Sequence, residues 1–103
     1  MMNKIILDKQ SAIEQLCKRF NVQRFELFGS VARNDFDPAR SDIDFLVEFN
    51  ETGVKNYADC YFGLLEALET LFDRPVELVV ISSVKNPYFI ESIEKNRILL
   101  YAA

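Results

Sequence analysis

A chain of 103 residues, half of them apolar, 27% charged and with a formal net charge of -4, has the size of one domain, because folding at this length removes roughly two-thirds of the unfolded surface from water. The absence of histidine excludes a Ser-His-Asp triad, a Cys-His dyad and His-ligated zinc, and the acidic balance counts against direct, sequence-independent binding of nucleic acid. No run approaches the ~20 apolar residues of a membrane span and the first residues lack a signal-peptide pattern, so a cytoplasmic protein without membrane association is expected.

Residues 9 to 20 place Ile13, Leu16, Cys17 and Phe20 at i, i+3, i+4 and i+7, the apolar stripe of an amphipathic helix. "RFELF" then alternates, with Phe25 and Leu27 on one face and Arg24, Glu26 and Phe28 on the other, and reads as a strand ending at Gly29. After a polar loop, "DIDFLVEF" alternates again: Ile43, Phe45, Val47 and Phe49 share one face, and Asp42, Asp44 and Glu48 share the other with Leu46. The two strands read as a hairpin-like pair. "NETGVKN" is polar, contains a glycine and reads as a loop.

Tyr57, Tyr61, Leu64, Leu65, Leu68, Leu71 and Phe72 recur at helical spacing, predicting the longest helix over 56–72 with its aromatic stripe in the core. "RPVELVVI" is a β-branched strand opened by Pro75, and its apolar run suggests a central position in a sheet. Asn86-Pro87 pairs an N-cap with proline at the first helical position and predicts a short helix to about Lys95; "RILLY" is a last strand. Cys17 and Cys60 fall inside helical patterns and form no C-x-x-C pair, so they read as reduced, buried thiols. Strands and helices interleaved in this way predict an α+β, or α/β sandwich, fold over the single domain 1–103: a small mixed β-sheet of about four strands with helices packed on it.

The acids of the second strand invite a chemical reading. Asp42 and Asp44 are two apart, so their side chains project from one face with Cα atoms about 7 Å apart. Two like charges ~4 Å apart repel by about 4 kcal/mol at an effective dielectric of 20, which a cation between them offsets. Magnesium suits such a pair, since it takes one or two carboxylates and completes its shell with substrate phosphates. Glu77, in "PVELVV", is a third acid among apolar neighbours; if its strand lies beside that of Asp44, three carboxylates converge. The plainer alternatives are a solvated face for the aspartates and an edge-strand charge for Glu77.

Gly29-Ser30 ends the first strand, where a glycine lets backbone N–H groups approach a phosphate and the hydroxyl donates to it. Arg33 and Arg40 add positive charge before the acids. Phosphate donors, arginines and paired acids are the parts of metal-assisted phosphoryl or nucleotidyl transfer.

A strand, Gly-Ser, a loop, Asp-x-Asp on the next strand and a third acid on a later one resembles the signature of the DNA polymerase beta-like nucleotidyltransferase superfamily. "GSVAR", "SDIDFLV" and "IEKNRILLY" are similar to the minimal nucleotidyltransferase (MNT) antitoxins of HEPN/MNT toxin-antitoxin pairs, over about Phe20 to Tyr101. The resemblance implies that Asp42, Asp44 and Glu77 are the catalytic carboxylates and bind Mg2+, and that Gly29 and Ser30, with Arg33 and Arg40, bind the nucleoside triphosphate. It implies transfer of AMP from ATP to a tyrosine of a HEPN RNase toxin, the expected protein partner, with one metal activating the nucleophile and the other neutralising the leaving group. Assembly with further copies of the chain stays open.

Three departures mark this sequence: an extra loop residue before Asp42, Asn34 after Arg33 where glycine is usual, and Glu77 in place of aspartate. The extra methylene of Glu77 shifts a carboxylate by more than an ångström, a displacement that can cost about 100-fold in rate. The competing expectation is therefore a non-catalytic antitoxin that occludes its HEPN partner. Transfer to a small molecule is handicapped by the lack of a second domain to build a substrate pocket.

Overall fold

A computed structural model of the protein describes residues 4–29, 42–81, 87–88 and 97–103. In chain order these form α1 (Lys4–Leu7), α2 (Gln10–Arg19), β1 (Val22–Phe28), β2 (Ile43–Phe49), α3 (Glu51–Lys55), α4 (Tyr57–Phe72), β3 (Val76–Val80) and β4 (Ile98–Ala102). The four strands make one mixed sheet in the order β3-β2-β1-β4. β1 pairs antiparallel with both β2 and β4, and β2 pairs parallel with β3. The α+β sandwich read from the sequence is thus the observed architecture. The helix expected from Asn86 to Lys95 lies outside the described residues, apart from Pro87 and Tyr88, which are helical.

Strand alternation divides the sheet's two faces. Phe25, Leu27, Ile43, Phe45, Val47 and Leu78 join Ile13, Cys17, Leu64, Leu68 and Phe72 in the main core, on the side covered by α2 and α4. Phe25 and Phe45 stack there with ring centroids 4.7 Å apart. Each fully buried side chain of this size contributes about 1.5–3 kcal/mol, so this face holds the domain together. The opposite face carries a smaller cluster, Phe28 and Leu46 with Val79 and Ile81 packed on it. Cys17 and Cys60 are buried free thiols, as expected.

Three expectations are corrected. Residues 51–55 form α3 instead of a loop: Asn50 accepts a hydrogen bond from the Gly53 amide (3.0 Å) and caps it, and Gly53 is buried against Phe49, where a side chain would not fit. β3 lies at the sheet edge instead of its centre; its apolar run arises because Val79 packs on the second cluster while Val76, Leu78 and Val80 face the core. Of the aromatic stripe of α4, Tyr57 is exposed, stacking on Tyr61 (5.8 Å) and meeting Phe49 edge-on. No helix among the described residues is long and apolar enough to cross a membrane.

Candidate active site

β2 sends Ile43 and Phe45 into the main core, so Asp44 between them projects from the other face, beside Leu46 and the second cluster. The parallel register pairs Asp44 with Glu77 on β3. Paired residues of adjacent strands share a face and lie about 4.8 Å apart, so the two carboxylates stand side by side. Asp44 is half-buried and Glu77 is exposed. Asp42 is exposed and sits immediately before the first residue of β2, one step outside the strand on which the sequence places it.

β1 delivers its end to the same spot, because Phe28 pairs with Asp44. Gly29 then turns into the left-handed region at φ 75°. A Cβ built on it would collide with the Asp44 Oδ2 atom and lie 3.1 Å from Cγ. Glycine is required here twice over, by backbone conformation and by space, and the atom that fills the space is the carboxylate itself. Ser30, Arg33 and Arg40 lie outside the described residues.

Two further groups border this face. The Tyr61 hydroxyl donates to the Leu78 carbonyl at 2.7 Å. Pro75 turns its carbonyl to Ile43 on β2, so strand alternation turns that of Leu78 away from β2, where Tyr61 caps it next to Glu77. Burial, then the Tyr57 and Glu77 charges, raise the Tyr61 pKa above 10.0, which keeps the hydroxyl a donor. On β1, Glu26 is buried and takes Arg24 Nε at 2.7 Å and Arg97 Nε at 3.1 Å. Only the position of Glu26 between Phe25 and Leu27 hinted at this pairing in the sequence; its partners are local in one case and distant in the other.

The donor set is all oxygen, which suits a hard cation. Among the described residues no three of His, Cys, Asp and Glu gather closely enough to hold a metal ion unaided. Two neighbouring carboxylates on a strand end nonetheless fit magnesium, whose remaining positions go to water and substrate phosphates. They do not fit structural zinc, which takes cysteine and histidine.

The fold agrees with comparison to known proteins. Residues 9–100 match the family model described as nucleotidyltransferase domain. Two Methanocaldococcus jannaschii proteins assigned as protein adenylyltransferases, MJ1379 and MJ0128, are 38% and 41% identical over 95 residues, covering 92% of this chain and 91% of each relative. A solved minimal nucleotidyltransferase structure superposes with a TM-score of 0.76 at 30% identity, over 95% of both chains. A toxin-antitoxin complex with AMP-PNP shares the fold at a TM-score of 0.68 and 20% identity, covering 91% of this chain and 73% of that one. The Shewanella oneidensis MNT antitoxin complex with a tri-AMPylated HEPN toxin does so at 0.63 and 18%, covering 94% and 72%. The chain belongs to the nucleotidyltransferase domain family, and its class of activity is nucleotidyl transfer.

Proposed function

We propose that this nucleotidyltransferase moves AMP from ATP to a tyrosine hydroxyl of a HEPN-domain toxin and thereby acts as its antitoxin. The reading rests on one observation above all: Asp44 and Glu77 stand in register on adjacent strands, and Gly29 turns directly onto Asp44. The assignment of the relatives as protein adenylyltransferases and the fold shared with MNT–HEPN complexes support the acceptor and the partner.

Asp42, Asp44 and Glu77 would hold Mg2+, which supplies neutralisation of the triphosphate and of the pyrophosphate that leaves. The turn at Gly29, with Ser30, Arg33 and Arg40, holds the triphosphate. The tyrosine oxygen attacks the α-phosphorus in line, the new P–O bond forms as the bond to the β-phosphate oxygen breaks, and that electron pair departs with pyrophosphate. The hydroxyl proton passes to a carboxylate, for which Glu77 is placed at the exposed, acceptor-accessible edge of the sheet. The edge position of Glu77 leaves room for a protein acceptor.

The test incubates the protein with its HEPN partner, Mg2+ and ATP labelled at the α-phosphate, followed by peptide mapping of the label. Label on a partner tyrosine, with one pyrophosphate released per AMP, is the expected result. A tight complex without label would replace catalysis by occlusion.

A further inference from the structure

On the side of the domain away from the carboxylates, α2 and α4 leave a groove of about 600 Å³ between them. Its floor is made of small residues, Ala12, Gly63 and Ala67, with Leu16, Phe20 and Leu71 as apolar lining. Gly63 is needed for this shape, because a Cβ there would run into the Phe20 ring at 2.5 Å. The two walls carry opposite charge. Arg19, in a last turn of α2 that also contains Lys18, lines one wall and Glu66 the other. α4 holds Asp59, Glu66 and Glu69 and no basic residue. Among the described residues neither Arg19 nor Glu66 forms an ion pair; Arg19 lies over the Phe20 ring, 5.3 Å from its centroid. Phe62, four residues before Glu66 and on the same helix face, extends the acidic wall by a turn and is 64% exposed.

We propose that the groove is occupied by the same groove of a second copy of this chain. A twofold axis along the groove lays α2 of one copy over α4 of the other, so each basic wall meets an acidic wall, and Arg19 of each copy faces Glu66 of the other. A surface with one basic and one acidic wall is complementary to itself, the requirement for an isologous dimer. A partner of a single charge would oppose one wall and repel the other. Phe62 gives each copy a large apolar side chain at the contact, of the kind that dominates interface energetics. The dimer leaves both carboxylate faces pointing outward and does not depend on the proposed adenylyl transfer.

Sedimentation equilibrium of the purified chain tests this, with circular dichroism melts to verify folding. Concentration-dependent dimers are expected for the wild type. Arg19→Glu and Phe62→Glu should each sediment as folded monomers, and the exchanged pair Arg19→Glu with Glu66→Arg should dimerise again. A wild type that is monomeric at every loading concentration overturns the proposal, as does a dimer that both single variants leave intact or an exchanged pair that stays monomeric. Loss of HEPN-partner binding in Arg19→Glu, with a monomeric wild type, would assign the groove to that partner instead.

Discussion

Gly29 and Asp44 share one space: the left-handed turn that ends β1 brings its Cα so near the carboxylate of β2 that a methyl group would overlap Oδ2. The contact fixes where the carboxylate sits relative to the backbone at the end of β1. Gly29→Ala should cost about 1–2 kcal/mol from the left-handed backbone alone, read by urea unfolding. It should also lower nucleotidyl transfer by about 100-fold or more, since an ångström of misplacement has that effect. A variant with normal transfer would mean that the turn has no part in the site.

In the proposed mechanism Glu77 separates catalysis from stability. Its side chain is exposed on an edge strand, so Glu77→Gln should change unfolding free energy by no more than about 0.5 kcal/mol. Removal of a general base typically costs about 100- to 10,000-fold, and single-turnover transfer rates should fall within that range. Glu77→Asp should retain transfer, because it keeps the carboxylate; its rate relative to wild type measures how the site adapted to the longer side chain.

Glu26 ties the edge strand β4 to the sheet. It accepts a hydrogen bond from Arg24 on its own strand and forms an ion pair with Arg97, the residue before β4. Glu26→Gln should destabilise the fold by about 1–3 kcal/mol, with amide exchange accelerated first in β4. Uniform acceleration over all four strands would show that the ion pairs do not act locally.

Tyr61→Phe removes the hydroxyl that caps the Leu78 carbonyl on the side of β3 away from β2. A loss of about 1 kcal/mol is expected from one hydrogen bond, with a smaller fall in transfer than for Glu77→Gln, because the effect reaches the site only through β3.

Burial first, and Glu14 second, push the Cys17 thiol from 9.0 up to about 12. The folded pKa lies above the unfolded one, so this contribution to stability is complete below about pH 9 and is lost as pH rises towards 12. Over that window the unfolding constant should rise about tenfold per pH unit from this group. Cys17→Ala should flatten the slope between pH 9 and 11 in chemical unfolding; an unchanged slope would show that the thiol does not titrate in this way.

Alternation made β1 and β2 legible from sequence almost to the residue, and with them the face shared by Asp44 and Leu46, because a period of two has a single structural cause. The Gly29 turn was likewise foreshadowed by glycine at a strand end, whereas the Asp44–Glu77 pairing was legible only on the condition that their strands are neighbours. Neighbour relations were not. Periodicity gives β3 its faces and says nothing of its place in the order, so an edge strand packed on both faces reads as a central one. α3 escaped notice because five residues with a single valine and a glycine show no apolar stripe; the Asn50 cap and the fit of Gly53 against Phe49 make it a helix. α1, at four residues, is shorter than any helical period can reveal. Arg97 reaches Glu26 across 71 residues of chain, a contact that only the folded sheet brings about.

The proposed mechanism has the carboxylates on β2 and β3 carry out nucleotidyl transfer to a partner protein. Intact-mass spectrometry of the HEPN partner after incubation with Mg2+ and ATP, using wild type beside a folded Asp44→Asn, tests it most directly. An added AMP mass is expected with wild type and none with Asp44→Asn. Equal modification by both proteins, or none by wild type in a stable complex, would contradict it.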